Sequence, residues 1–567
     1  MPKTAAIAAA MIVVLAGCAA SATGGTLTRV ISNGVFDDWS AVPVAFADPA
    51  GDQNGAVADI RNVWLANDED YVYVRFEVGS LLHQDDARLN FYFDIDSDDT
   101  TGYSVRGIGS EFVLQFSDHD GAEQTLGTWE AATLGHSVLS YVASPTVGAV
   151  EYELRIRRDV LLPIRGTALF AGPDFDMIIE GQDGGGSSRE WAPNSLNGHH
   201  YTLDTGTLPP YATISLDRDT SACVRMVTWN MLWGGLIGRP EPFNRILAAL
   251  DPDIILFQEA AGIQWWEIRN RLNDILPLGG GDQWQVYWQN NNAVASRWSS
   301  SMWAGDTTPS TERGLAMALV DLPDADYDTD LYVMNVHYKC CGGMGGSEDD
   351  KRQTQSDALV NWFRDLREPG GNIDLPAGTP FLVAGDFNMV GGPQPLLTVL
   401  DGNIIDESTF GSDSSPDWDG GNLADPVPAH NAAPAAHTWR SETGWHAPGR
   451  LDFVLYTDSV MSVAKSFVLN TEDMSAADLA ANGLLAQDSA DASDHLPIIV
   501  DFILGAPEPV PGDIDADGDV DSDDLNLFVG VLVGLNLDPQ HIGRSDLSLD
   551  GVADGVDVAL FVDEMMS

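Results

Sequence analysis

Six short strings between positions 224 and 502 carry the residues best suited to chemistry. Asn230 closes the apolar run Val224-Arg-Met-Val-Thr-Trp, and Glu259 follows Pro252-Asp-Ile-Ile-Leu-Phe-Gln258. His337 closes Leu331-Tyr-Val-Met-Asn335-Val, and Asp386 and Asn388 end Pro380-Phe-Leu-Val-Ala-Gly-Asp-Phe-Asn. Asp452 follows Gly449-Arg-Leu and leads into Phe453-Val-Leu-Tyr. Asp494 and His495 lie in Ala492-Ser-Asp-His-Leu-Pro497, just ahead of the apolar run Ile498 to Phe502. A set of carboxylates, amides and imidazoles suits water attack on a centre that gains negative charge. Carboxylates hold a divalent cation or take the proton of water, and amide and imidazolium groups donate to the developing anion. Histidine fits this work because its proton is available near neutral pH.

Each string reads as a buried strand with polar residues at its end, so the elements carry these groups to one edge of a sheet sandwich. Singly the strings mean little, since Asp-His arises by chance and an Asn after a strand is usually a turn. Their joint order, over residues 222–504, resembles the endonuclease/exonuclease/phosphatase superfamily. Gly385-Asp386-Phe387-Asn388 and Ser493-Asp494-His495-Leu496-Pro497 are the most specific pieces.

The resemblance implies a four-layer α/β/β/α sandwich and single-step, in-line attack of water on a phosphoester, without a covalent intermediate. It implies Glu259 as the main Mg²⁺ or Mn²⁺ ligand, with Asp494 and Asn230 close to the metal. Asp386 would orient or deprotonate the attacking water, and Asn388 would hold a phosphate oxygen. His495 would stabilise the transition state, kept charged by Asp452, and His337 would donate near the leaving group or a phosphate oxygen. Asn230, Asn388 and His337 would thus also bind substrate. Met231-Leu232 stand where several relatives carry a second metal-binding carboxylate, which favours a single tightly bound metal.

Around these strings, Arg297 and Arg313 have the reach for phosphate but read first as surface charges. Trp439 and Trp445 read as groove or core. Lys339-Cys340-Cys341 reads as a loop beside the site.

The C-terminal residues 512–567 follow a Pro-rich linker at 505–511 and carry a second metal signal. Oxygens recur at Asp513, Asp515, Asp517, Asp521 and Asp524, with Gly518 at the sharp turn, and an apolar helix follows. The pattern returns at Asp546, Ser548, Asp550, Asp554 and Asp557. Two such loop-helix repeats closely resemble a type I dockerin, a small α-helical calcium-loop module. The resemblance implies calcium-dependent folding and docking onto a cohesin-type partner. A calcium-stapled cap without a partner is the plainer reading.

Residues 26–215 read as an all-β sandwich. Period-two alternation is clear over 59–65 and 71–78, with further strands expected at 89–95, 111–116 and 150–156. Asp94, Asp96, Asp98 and Glu111 offer hard oxygens for calcium. With Gly34-Val-Phe-Asp-Asp-Trp39, this arrangement resembles family-9-like carbohydrate-binding sandwiches, which implies a glycan ligand. A spacer sandwich with an acidic loop is the alternative.

The whole chain has 567 residues with 85 acids against 28 bases, a net charge of -57. Such a surface repels nucleic-acid backbones unless cations or a local basic patch intervene. It fits an exported or salt-adapted protein, or solubility alone. Residues 1–18 read as a secretory leader, and Leu15-Ala-Gly-Cys18 resembles a lipoprotein box with a lipid anchor at Cys18. Cleavage after Ala20 or Ala22 is the alternative. The expected location is outer membrane, cell surface or secreted, with no transmembrane helix. A Cys340–Cys341 disulfide, a bridge from Cys223 to either, and free thiols all remain open. Two other function classes compete with the exported phosphoesterase. One is a dockerin-bearing, glycan-associated protein of polysaccharide degradation, and the other a non-catalytic surface adhesin.

Overall fold

The computed structural model describes residues 25–304, 315–441, 446–505, 512–515, 520–537, 539–548 and 551–565. Cys18, Arg313, Trp445, Asp517, Asp550 and the linker at 506–511 lie outside the described residues. No helix among the described residues is long and apolar enough to cross a membrane.

The chain divides into two compact units, residues 1–457 with 463–504, and residues 458–462 with 505–567. In the first unit the N-terminal part is a β-sandwich. One sheet runs in the order Val44–Ala47, Ile60–Asn67, Tyr71–Leu82, Ala149–Arg157, Val142–Ser144. The other runs Ser188–Ala192, Asp174–Gln182, Leu89–Asp94, Phe112–Gln115, Asp120–Thr125, Thr128–Gly135. Alternate side chains from the two sheets fill the space between them. Phe76 meets Phe91 and Phe116 with ring centroids 5.3 and 5.1 Å apart, an edge-on arrangement suited to aromatic quadrupoles.

The second part of the same unit has two facing sheets. The six-stranded sheet has the order Gln285–Gln289, Asn292–Ser296, Ile254–Gln258, Val224–Asn230, Ile498–Leu504, Met461–Val468. The five-stranded sheet runs Ser300–Ala304, Leu315–Val320, Leu331–His337, Phe381–Asp386, Asp452–Tyr456. Period two decides the layers. Val227, Trp229, Ile255 and Phe257 pack outward under the helices Pro240–Leu250 and Trp265–Ile275. Tyr332, Met334, Phe381 and Val383 do the same under Ser347–Arg367. The residues between them turn inward, so Gln258 Nε2 donates to Asn335 Oδ1 across the sheet interface at 2.7 Å. The result is helix, sheet, sheet, helix.

Two parallel pairs place the chemistry. Val224–Asn230 runs parallel to Ile254–Gln258, and Leu331–His337 runs parallel to Phe381–Asp386. Their C-terminal ends bring Asn230, Glu259, His337 and Asp386 to one edge. Asp452–Tyr456 and Ile498–Leu504 run antiparallel to these, so their N-terminal ends deliver Asp452 and His495 to the same edge. Gly385 has no alternative here. Its φ is +143°, and a Cβ would stand 2.1 Å from the Val336 carbonyl oxygen of the neighbouring strand.

The sandwich packs against the two-sheet part rather than standing off as a spacer. The Gly148 amide donates to Gly391 O at 2.8 Å, Thr146 Oγ1 to Arg450 O at 3.1 Å, and Arg155 Nη1 to Pro434 O at 2.7 Å. Ala447 packs against the sandwich core.

Several expectations need correction. Asp94, Asp96 and Glu111 come together, but Asp98 does not join them; its carboxylate turns to the Thr100 amide and hydroxyl. Arg165 reaches Asp96 and Glu111 at 2.9 Å each, so a guanidinium already offsets part of the trio's charge. Arg297 bonds Pro252 O and pairs with Asp251 and Asp253, at the opposite end of its sheet from the site. Cys223, Cys340 and Cys341 are not in disulfides, although the Cys340 and Cys341 sulfurs lie 2.8 Å apart.

In the second unit, helices Ser522–Leu532, Pro539–Arg544 and Asp557–Met565 surround a small core of Ile514, Phe528 and Phe561. Asp524 accepts from the Ile514 and Asp521 amides at 2.6 and 2.8 Å and closes the first loop, where Asp513, Asp515 and Asp524 converge. Asp521 caps the following helix. In the second loop Asp557 takes the amides of Ser548 and Asp554, Asp546 takes that of Gly551, and Ser548 Oγ reaches Asp546.

Candidate active site

At the shared edge of the two sheets, Asp386 is the centre of the constellation. It is 2 % exposed. Its Oδ2 accepts from Asn230 Nδ2 at 3.0 Å and faces His337 Nε2 at 3.4 Å and His495 Nε2 at 3.7 Å. Its Oδ1 takes the Asn388 amide at 3.0 Å. Burial pushes its carboxyl up and Asp452 adds to the rise, while His495 and the Asn230 bond oppose it; the balance is about 7.

His495 is oriented from behind. Its Nδ1 donates to Asp452 Oδ2 at 2.8 Å, and its backbone amide donates to Ser493 Oγ. Burial alone would push the imidazole down. Asp452 and then Asp386 reverse this and raise it to about 10, so the ring is a cation with Nε2 turned to Asp386. Asp452 is itself fixed by Thr438, whose hydroxyl donates to Oδ2 at 2.7 Å and accepts the Leu451 and Asp452 amides. Asp386, Asp452 and His495 offer ligand atoms within 4.8 Å of one another. The histidine cation between the two carboxylates offsets one of their charges.

Glu259 and Asn388 hold left-handed backbone, φ +56° and +50°. Strain of that kind persists where surrounding structure over-determines it, and it clusters at working sites. Glu259 Oε2 accepts the Trp233 amide at 3.0 Å and Oε1 stands 4.0 Å from His337 Nε2. Asp494 Oδ2 accepts from Trp439 Nε1 at 3.1 Å. Asn388 Nδ2 donates to Tyr338 O, and Asn230 Oδ1 takes the Leu232 amide. Glu259, Asp386, Asn388, Asp494 and His495 all line one cavity of about 560 Å³. Asn230, His337 and Asp452 stand behind its wall, bonded or close to those groups. The calcium-type clusters of the sandwich and of the C-terminal unit are no part of this constellation.

The cavity has a wall that the strings did not announce. His83, Asp85, His119 and Thr146 of the sandwich line it, with Trp439 and His446 opposite in sequence terms. Cys340 and Cys341 also line it, as their place after His337 implies. Arg352, fully buried, holds that loop by donating to Lys339 O and Cys341 O at 3.0 and 2.8 Å. Neither Thr438 nor Arg352 stands in a recognisable string; Arg352 lies within the polar run Ser347-Glu-Asp-Asp-Lys-Arg-Gln, and nothing local marks either residue.

Glu259 and Asp494 fit a hard divalent cation. Both present carboxylate oxygens to the cavity, and neither is taken up by a lysine or arginine among the described residues.

A comparison of the sequence with curated proteins finds no match. Among solved structures, the chain is similar to a humanized D. rerio TDP2 carrying 14 mutations, at 14 % identity and TM-score 0.30, over 50 % of this chain and 99 % of that one. It is similar to an endonuclease/exonuclease/phosphatase from Beutenbergia cavernae at 18 % identity and TM-score 0.31, over 51 % and 73 %. The human Nocturnin catalytic domain with bound sulfate is matched at 16 % identity and TM-score 0.30, over 50 % and 96 %. Residues 227–495, just under half of the chain, match the Endonuclease/Exonuclease/phosphatase family, and the chain carries in that segment a hydrolase domain that acts on phosphoester bonds.

Proposed function

We propose that this protein is an exported, metal-dependent phosphodiesterase that cleaves its substrate by in-line attack of water. The observation that carries the reading is the buried Asp386 carboxylate, faced by Asn230, His337 and the His495 cation. Asp386 orients the attacking water and takes its proton, a role suited to a carboxyl raised to about 7. The His495 cation donates to the phosphoryl oxygen as negative charge grows, with Asp452 holding its far nitrogen. Asn388 and His337 steady a second oxygen or the leaving group. Glu259 and Asp494, with Asn230 close by, would hold Mg²⁺ or Mn²⁺, which supplies charge neutralisation at the phosphate.

Two flanking modules support export to a calcium-rich setting. The convergence of Asp513, Asp515 and Asp524 supports a dockerin-like, calcium-folded unit with a cohesin-type partner. A polar cleft of about 160 Å³ in the sandwich, lined by Asn90, Gln115, Trp129 and Gln182, supports glycan contact. A lipid anchor at Cys18 completes the proposal.

The test is hydrolysis of bis-p-nitrophenyl phosphate, p-nitrophenyl phosphate and plasmid DNA with Mg²⁺, Mn²⁺, Ca²⁺ or EDTA. Metal-dependent turnover lost in both His495→Ala and Glu259→Ala is expected. Turnover that survives EDTA and both substitutions, or none by the folded protein on a broad phosphoester panel, overturns the reading; polysaccharide cleavage insensitive to chelation would favour the glycan-degrading alternative.

A further inference from the structure

The cavity wall holds a second group of ligating side chains, assembled from parts far apart in the chain. Asp85 and His119 come from the sandwich, and His446 comes from the segment that leads into the Asp452 strand. One ligand atom from each lies within 4.8 Å of the other two. His119 is buried at 3 % exposure, and its Nε2 stands 2.8 Å from Asp85 Oδ1. The His119 and His446 rings have centroids 6.4 Å apart. His83 stands behind Asp85, with Nδ1 3.7 Å from Asp85 Oδ2. It is also 3 % exposed, lines the same cavity, and its Nε2 has no hydrogen-bond partner among the described residues. Nothing in the hydrolytic constellation uses these four residues.

We propose that Asp85, His119 and His446 bind a transition-metal ion of the zinc class, at a site separate from the Glu259 and Asp494 carboxylates. Two imidazoles with one carboxylate suit Zn²⁺, whereas Mg²⁺ and Ca²⁺ prefer all-oxygen shells. Tetrahedral donors at roughly 2.0–2.2 Å from zinc stand about 3.3 Å from one another. A small inward movement of exposed His446, with Asp85 and His119 parting slightly from their 2.8 Å contact, brings the three donors to that spacing. Three protein ligands leave one position for water or an anionic substrate oxygen. The ion ties the sandwich to the loop carrying Ala447, which packs on the sandwich core, and Gly449, which bridges to Trp439. The sandwich thereby becomes a fixed wall of the cavity. His83 acts as a positioning residue that orients Asp85 from behind.

The test titrates Zn²⁺ into the full chain by calorimetry, with excess Mg²⁺ and Ca²⁺ filling the oxygen sites. Co²⁺ absorption in the visible range is the second readout. About one tight equivalent is expected in the native chain and in Glu259→Ala. It is lost in His446→Ala and in Asp85→Asn, two exposed positions whose substitution leaves folding intact. His83→Ala should weaken binding by about 10- to 100-fold. Absence of the equivalent from the native chain overturns the proposal. So does its retention, at unchanged affinity, in both His446→Ala and Asp85→Asn.

Discussion

At the scale of single residues, the proposed hydrolysis turns on the Asp452–His495 pair. Asp452 and Asp386 together hold the His495 imidazole at about 10 against the downward pull of burial. The cation therefore persists until pH rises through that value, and turnover that needs it fails above it. The same pair adds stability that is complete below the ordinary imidazole pKa of about 6.5 and is lost as pH rises through about 10. Asp452→Asn removes the largest upward contribution, so the alkaline limb of the pH–rate profile should move to lower pH. The rate at the optimum should fall by roughly 10²- to 10⁴-fold. An alkaline limb unmoved by the substitution would take His495 out of the reaction. Thr438→Val tests the layer behind. It removes a hydrogen bond of about 1 kcal/mol, and a five- to tenfold loss in kcat with little change in KM is expected. Asp452 and His495 were legible because each sits in a string at a strand end. Thr438 was not, because its role depends on a contact with a residue 14 positions away and a lone Thr beside a Trp has no pattern.

Among the elements, the strands were the easiest to read, and the loops between them the hardest. Leu331–His337 and Phe381–Asp386 are buried on both faces, so they appear as unbroken apolar runs with one polar interruption, Asn335. Asn335 also donates to Phe257 O and Ala293 O at 2.9 Å each, tying the two sheets. Those partners lie 78 and 42 positions away and left no mark in local pattern. In the helix Ser347–Arg367, Arg352 faces inward and carries the loop 339–341 on its guanidinium. Its other nitrogen meets Asp349 Oδ1 at 3.0 Å, and Asp349 in turn accepts the Gly392 amide. Arg352→Met removes the donor to the Lys339 and Cys341 carbonyls and the cation beside Asp349, whose carboxylate keeps the Gly345 and Gly392 amides. Loss of a buried partner of this kind costs roughly 3–5 kcal/mol, so a thermal or urea melt should show a shift of that order. The loop lines the cavity, so KM should rise in whatever protein remains folded. A melt indistinguishable from the native chain would show that the loop is held from elsewhere.

For the whole molecule, the sequence separated a sandwich from a catalytic segment but gave no sign that the first encloses the second. The joining contacts, such as Thr146 with Arg450 and Gly148 with Gly391, link positions hundreds apart and end on backbone carbonyls, which carry no side-chain signature. The enclosure has an electrostatic consequence. The chain carries a net charge of -57, and the described residues lining the cavity include neither Lys nor Arg. Its cationic character rests on histidines. A polyanion approaching this entrance is repelled over a Debye length of about 10 Å at 0.1 M salt and about 30 Å at 0.01 M. Added salt should therefore raise kcat/KM for a single-stranded oligonucleotide, because screening weakens the repulsion. A small diester such as bis-p-nitrophenyl phosphate carries one charge and should respond far less. Enzymes that track nucleic acid along a basic groove behave in the opposite way, losing affinity as salt releases their phosphate contacts. Steady-state rates for both substrates between about 10 and 150 mM NaCl, at saturating Mg²⁺, separate the cases. A rise confined to the oligonucleotide points to an enzyme built for small or singly charged phosphodiesters. A steep fall would mean that a local cationic track, with Arg or Lys outside the described cavity wall, guides nucleic acid to Asp386.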